Sequence, residues 1–303
     1  MGGSGRKSHI RTPTRVHIIR TEDQTRTEKF ETDVNHLLIS LLSEFNERDV
    51  KGIRKVLDQV ESDLESEIEG TIDTLFGGSI SKHTYLEGIS DVDTLVVLNN
   101  SELAEKSPSE VKTFLAECLC NRYGKDKVWE GNLAVTIDLE GKSIQFLPAL
   151  RHGQGVRIAS SDGSSWSKVN PQRFAEALTK ANGRMDRKLV PCIKLIKAIV
   201  ARRPEREQIT GYHVESMAIN VFRGYDGRKT HKSMLRHFFE EAPKQVMKPI
   251  RDSSGQSVHV DEYLGAENSP KRGAIAGNLR EIRSSIRRAD RQGSFDGWKE
   301  LFE

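Results

Sequence analysis

Gly77-Gly78-Ser79 is followed, after eleven intervening residues, by Asp91-Val92-Asp93, which runs straight into Thr94-Leu95-Val96-Val97-Leu98. The last five residues are apolar or β-branched, the composition of a buried strand. Charged groups rarely open such a strand, so the paired acids need an occupation. Asp91 and Asp93 are two apart, and in an extended chain their carboxylates point to one face. Like charges that close repel unless a cation lies between them. Hard oxygen donors beside substrate phosphates suit Mg²⁺. A Gly-Gly-Ser turn lets backbone N–H groups and a hydroxyl approach a phosphate closely. The combination points to phosphoryl or nucleotidyl transfer, with metal ions clamping the attacking and leaving oxygens.

The rest of the composition narrows the setting. A chain of 303 residues, 30% charged and 36% hydrophobic, has room for two packed lobes with long surface helices. No apolar run approaches the ~20 residues that span a bilayer. The start carries no apolar signal region, so a cytoplasmic location is expected and a membrane is not. Cys118, Cys120 and Cys192 form no CxxC pair, which argues against a disulfide framework and against a zinc site. The net charge of +3 is mild. Basic clusters at Arg6 to Arg15, Arg202-Arg203 with Arg206, and Arg280 to Arg291 read as solvated faces or a flexible tail. They lack interleaved aromatics to stack bases, so charge does not indicate a nucleic-acid partner.

Along the chain, residues 1–26 are polar without sustained periodicity and are expected to form a flexible N-terminal segment. From Thr27, an apolar stripe through Phe30, Val34, Leu37, Leu38, Leu41, Leu42 and Phe45 predicts a helix. A second stripe, Ile53, Leu57, Val60, Leu64 and Ile68, predicts another, a brace behind the sheet. Strands are expected at 72–76 and 91–98, a helix at 108–123, and a hairpin of 133–139 with 142–147 turning at Glu140-Gly141. After Pro171 helices dominate, at 171–182, 185–202 and 211–222, with more to follow. Trp298 and Leu301-Phe302 are expected to dock the tail on them. The domains predicted are a nucleotidyltransferase lobe over 27–165, with long N-terminal brace helices, and a helical lobe over 166–303, with the site in the cleft between.

Two-metal sites usually take a third acid from a neighbouring strand, and the hairpin offers Asp138. If Glu140-Gly141 are the turn, Asp138 pairs with Ser143 and Thr136 with Gln145, and all four lie on one face. Asp138 then stands with Asp91 and Asp93, provided that this face looks into the site.

Gly78-Ser79, Asp91-Val92-Asp93, Phe146-Leu147-Pro148-Ala149 and Gly211-Tyr212-His213-Val214-Glu215 resemble, in kind and order, the motifs of bacterial cyclic-oligonucleotide synthases. These are enzymes similar to cyclic GMP-AMP synthase and oligoadenylate synthase, on the DNA polymerase β-like nucleotidyltransferase fold. The resemblance extends over roughly residues 30–303 and implies an α/β core followed by an all-α lobe. The run Ile144 to Leu150, Gly255-Gln256-Ser257 and Val260 to Gly265 resemble a subgroup found in antiphage signalling operons (CBASS) and often paired with HORMA-type regulators and AAA+ ATPases.

The resemblance implies roles. Gly78 and Ser79 would hold the donor triphosphate; Asp91 and Asp93 would bind two Mg²⁺ ions, for which Mn²⁺ can substitute. Lys197, on the helix Val190–Lys197, would contact phosphate, and Tyr212 would stack on a base. ATP is the expected substrate and an adenine-rich cyclic di- or trinucleotide the expected product. One position departs from the pattern. Many relatives carry the third aspartate directly before the hydrophobic pair that precedes Pro-Ala, and here that residue is Gln145. A neutral amide binds Mg²⁺ poorly and cannot take a proton from a hydroxyl. Asp138 substituting from across the hairpin is the preferred reading; a two-acid site or weak catalysis are the others. The rival functions are transfer to another acceptor, such as an RNA 3′-end or a small molecule, and a catalytically dead nucleotide-binding scaffold.

Overall fold

A computed structural model describes residues 15–46, 50–68, 71–75, 92–99, 101–153, 155–160, 163–169, 171–251 and 260–303. The chain opens with two helices, α1 (Arg15–Asn46) and α2 (Val50–Glu67), then enters the sheet with β1 (Thr71–Leu75) and β2 (Val92–Asn99). A short α3 (Ser101–Ala104) and α4 (Pro108–Tyr123) lead to β3 (Val128–Glu130), β4 (Val135–Leu139), β5 (Lys142–His152), β6 (Gly155–Ala159) and β7 (Trp166–Val169). The remainder is helical: α5 (Pro171–Arg184), α6 (Leu189–Ala201), α7 (Gly211–Val221), α8 (His231–Gln245), α9 (Pro270–Gln292) and α10 (Phe295–Lys299). Among the described residues no helix is long and apolar enough to cross a membrane.

The strands pair in the order β1-β2-β5-β4-β3, with β6 joined to β5 and β7 to β6. Only β2 and β5 run parallel; the other pairs are antiparallel. The hairpin register is the one expected from sequence, with Asp138 opposite Ser143 and Thr136 opposite Gln145. Its turn uses two left-handed residues, Glu140 (φ 50°) and Gly141 (φ 72°), the geometry whose twist matches two-residue hairpins.

Side chains alternate across the sheet, and the faces are treated differently. On one, Val96, Leu98, Val135, Ile137, Ile144, Phe146 and Leu150 pack with Ile53, Leu57, Val60 and Leu64 of α2 and Val111, Leu115 and Leu119 of α4. Asp63 ties these two helices together, accepting from Arg122 at 2.6 Å and from the Tyr123 hydroxyl at 2.5 Å. Both bonds hold the Asp63 carboxyl below its ordinary pKa, the tyrosine's more strongly. The other face carries a much smaller apolar cluster of Leu95, Val97, Ala149 and Val156. Two positions before Leu95 on that face is Asp93.

Three elements differ from the sequence reading. The first helix starts at Arg15 rather than Thr27. Residues 24–29 are exposed along it, so this turn-and-a-half has no apolar stripe to betray it. The stripe that does exist faces the helices: Val34, Leu38 and Leu42 are buried with α6, α8 and the C-terminal Trp298 and Phe302. α1 is thus part of the helical core, while α2, with α4, braces the sheet. Finally, the helix expected from Met185 begins only at Leu189, because Asp186 (φ 52°) and Arg187 (φ 61°) are both left-handed. Asn182 anchors this break, taking Arg187 N–H on its carbonyl at 2.8 Å and Val190 N–H on its side chain at 3.1 Å.

Candidate active site

The sheet face opposite the one packed by α2 and α4 is built by three adjacent strands in register. Asp93 of β2 is the Cα partner of Gln145 of β5, which is the partner of Thr136 of β4. Paired positions on neighbouring strands share a face, so positions 93, 145 and 136 form one row at spacings of about 4.8 Å. Gln145 is half-buried and Thr136 is 7% exposed. Asp138 is exposed on the same face, one pleat repeat along from Thr136, with Ser143 beside it. It lies two strand spacings from β2, about 12 Å between Cα positions on the diagonal. Gly78, Ser79 and Asp91 lie outside the described residues, and so do Gly255, Gln256 and Ser257.

The helical side brings together residues from motifs far apart in sequence. Lys197 of α6 is buried, and its ammonium meets Glu215 Oε1 of α7 at 2.8 Å. α7 starts directly above it. Thr210 caps that helix, its side chain accepting from His213 N–H. A Cβ placed on Gly211 would stand 3.1 Å from Lys197 Nζ and 3.2 Å from its Cε. The glycine therefore leaves the ammonium its room beneath an exposed stretch of backbone. One turn earlier on α6, Lys194 donates to Asn46 Oδ1 at the end of α1.

A model of one protein family matches residues 27–182, more than half of the chain: the Second Messenger Oligonucleotide or Dinucleotide Synthetase (SMODS) domain. The chain belongs to this family. It is a nucleotidyltransferase of the cyclic-oligonucleotide synthase class, and the mixed α/β core with its helical region is that class's fold. Solved structures agree in fold at low identity. The E. coli MS115-1 CdnC with ATP superposes with a TM-score of 0.66 at 14% identity, over 87% of this chain and 92% of that one. The complex of the same CdnC with a HORMA protein gives 0.67 at 16%, over 88% and 96%. E. coli DncV bound to 3′-deoxy GTP gives 0.65 at 12%, over 95% and 89%. No curated protein matches the sequence significantly.

In this synthetase, Tyr212 is half-buried and leans on Phe174 of α5, ring centroids 4.7 Å apart and tilted by 52°. Its neighbour His213 is fully buried. His213 Nδ1 meets the Tyr263 hydroxyl at 2.9 Å, and Nε2 lies 3.8 Å from Asp261 Oδ2 without a hydrogen-bond partner. Burial lowers the His213 pKa to about 4 and outweighs the pull of Asp261 in the other direction; Arg272 adds to the lowering. Tyr263 is 36% exposed at its ring but turns its hydroxyl inward, also towards Thr210 N–H at 3.3 Å. Loss of solvent pushes that hydroxyl's pKa up to about 12.

Behind Tyr263 is a hub that sequence reasoning missed. Arg272 of α9 is fully buried, as is Asp261. The guanidinium reaches Asp261 Oδ2 at 2.5 Å and the carbonyls of Val246 (2.9 Å), Gly265 (2.9 Å) and Ala266 (3.1 Å). Asp261 Oδ1 accepts from Ile250 N–H at 3.0 Å. The run Val260 to Gly265, noted in the sequence only by resemblance, is thereby fastened to the start of α7. Its signal was a lone arginine on the apolar stripe of α9, where Ile275, Leu279 and Ile282 are buried.

Proposed function

We propose that this protein joins ribonucleotides from ATP, and from other NTPs, into an adenine-rich cyclic di- or trinucleotide used as a signal in antiphage defence. The observation that carries the reading is the row at positions 93, 145 and 136 on the sheet face opposite the one packed by α2 and α4. A hydroxyl of one nucleotide attacks the α-phosphorus of an NTP. The new O–P bond replaces the bond to the β-phosphate oxygen, and pyrophosphate leaves. In this reading Asp91 and Asp93 would hold the metal ions, Gly78 and Ser79 the donor triphosphate, and half-buried Tyr212 would stack its ring on a base. Lys197 approaches the phosphates from beneath Gly211. Asp138 is the third acid, which receives the hydroxyl's proton across the small side chain of Ser143.

The donors present suit the ion assigned to them. A carboxylate is the hard oxygen ligand that Mg²⁺ takes together with substrate phosphates, and the Thr136 hydroxyl and the weaker Gln145 amide stand beside it in the row. Bound there, Mg²⁺ supplies charge neutralisation for the attacking and leaving oxygens. The protein's own contribution is positioning.

The division of labour is a nucleotidyltransferase lobe over 27–165 and a helical lobe over 166–303, with α1 contributing packing to the second. The E. coli MS115-1 CdnC forms a complex with a HORMA protein, and we extend to this chain a HORMA-type regulator with an AAA+ ATPase. A second reading, a nucleotide-binding scaffold without turnover, is favoured by Gln145, which occupies the position directly beside Asp93.

The test is incubation with radiolabelled ATP, GTP, CTP and UTP and Mg²⁺, with and without regulator proteins, followed by phosphatase and product separation. Phosphatase-resistant products that disappear in Asp93→Asn support synthesis. Loss in Asp138→Asn assigns the third acid, whereas a gain in Gln145→Asp with Asp138→Asn silent moves it to β5. Nucleotide binding without product under every condition selects the scaffold.

A further inference from the structure

The row that begins at position 93 continues one strand beyond Thr136. Trp129 of β3 is the Cα partner of Thr136, so four neighbouring strands place Asp93, Gln145, Thr136 and Trp129 side by side on one face. Its neighbours fix the direction in which Trp129 looks. Val128 is buried opposite Ile137 in the cluster under α4, and Glu130 meets Lys112 of α4 at 3.5 Å. Trp129 stands between them on the opposite side, with 46% of its surface exposed. The other two tryptophans are accounted for: Trp298 is fully buried, and Trp166 is half-buried with its N–H on the carbonyl of Lys106 at 3.0 Å.

We propose that Trp129 is the stacking platform for the base of the nucleotide whose hydroxyl attacks, the acceptor. This deepens the preceding reading and rests on it for the position of the reacting atoms. The chemistry along the row runs from carboxylate through amide and hydroxyl to indole. A nucleotide laid along it has a matching sequence of groups, with the reacting hydroxyl at one end, the sugar in the middle and the base at the other. Three strand spacings separate positions 93 and 129, about 14 Å between Cα atoms. That span is on the scale of one extended nucleotide. An indole plane accepts any base, because every base has a π-face. Trp129 therefore sets acceptor affinity and leaves base choice to other groups.

Two variants and a spectroscopic readout test this. Trp129→Ala is expected to raise the KM for nucleotide by about ten-fold, within the range of stacking losses measured on alanine substitution, and to affect kcat less. Trp129→Phe should recover most of that loss, and neither variant should alter the base composition of the product. Independently of turnover, ATP or GTP titrated into the wild-type protein should quench tryptophan emission. The quench should persist in Trp166→Phe and vanish in Trp129→Phe, which still stacks but lacks the indole. Quenching that survives in Trp129→Phe overturns the proposal. So does an unchanged KM in Trp129→Ala, or a Trp129→Ala that loses only binding of a regulator protein. If Asp93→Asn still makes product, the premise about β2 fails; if Asp93→Asn is dead while Trp129 variants are indifferent, the platform alone fails.

Discussion

Removing the Asp261 carboxylate is expected to cost more than a surface ion pair by several-fold, and the structure says how the loss divides. Arg272 and Asp261 are both fully buried, so Asp261→Ala leaves a guanidinium with no counter-charge and the Ile250 N–H with no acceptor. Breaking a buried pair from one side costs about 3–5 kcal/mol. Asp261→Asn keeps an oxygen for Ile250 N–H and loses the charge-assisted bond, about 1.5–3 kcal/mol. The informative variant is the double one, Arg272→Met with Asp261→Leu. For a bare buried ion pair, replacement by apolar side chains is often neutral or stabilising. Here the guanidinium also serves the buried carbonyl of Val246, which would be orphaned together with Ile250 N–H, whereas the Asp261 carbonyl keeps the Leu264 N–H at 3.0 Å. At about 1–3 kcal/mol for each of these two groups, the double variant should remain at least about 2 kcal/mol less stable than wild type. Urea unfolding followed by far-UV circular dichroism, with Trp298 emission reporting the helical core, measures all three. A double variant as stable as wild type would refute the idea that Arg272 is chiefly a backbone-carbonyl clamp.

Gly211→Ala should weaken nucleotide binding, since a methyl 3.1 Å from Lys197 Nζ and 3.2 Å from its Cε crowds the ammonium buried against Glu215; calorimetric titration of ATP beside a melting curve separates that loss from any change in stability. His213 stays neutral in the fold to about pH 4 but gains a proton near 6.5 when unfolded. The unfolded state thus binds more protons between those values, and stability should fall as pH drops from 6.5 towards 4. His213→Gln should flatten that limb of the stability profile. Ser107 caps α4 in a reciprocal pair with Glu110, so Ser107→Ala should cost about 1 kcal/mol in chemical denaturation, with Glu110→Ala not fully additive to it.

What the sequence made legible was local. The hairpin register followed from alternation about Glu140-Gly141, and α4 was bounded by Ser107-Pro108 on one side and Gly124 on the other. Asp91-Val92-Asp93 stood out because charge met a strand that had to be buried. Illegible features depended on partners distant in sequence. The stripe on α1 announced a buried side but not which core would bury it. Lys197 and Glu215 are 18 residues apart, and Asp261 and Arg272 eleven, with no periodic rule to join them. The pause at Asp186-Arg187 was hidden because its left-handed backbone is built from residues that seldom adopt it, without a glycine to mark the place. Trp129 was overlooked because β3 is three residues long, too short for alternation to show.

The placement of α1 has a consequence for how the chain comes into being. α1 leaves the ribosome long before the helices that sheathe it, since Val34 and Leu38 belong to the cluster that holds Trp298 and Phe302. At synthesis rates of about 5–20 residues per second, the α1 stripe must wait on the order of ten seconds or more for its covering to be made. Through that interval the sheet and α2 can assemble, but the helical core cannot close. The helical core therefore stays open until α10 has been made, and a nascent chain stalled short of it would expose an apolar seam to whatever chaperones are at hand.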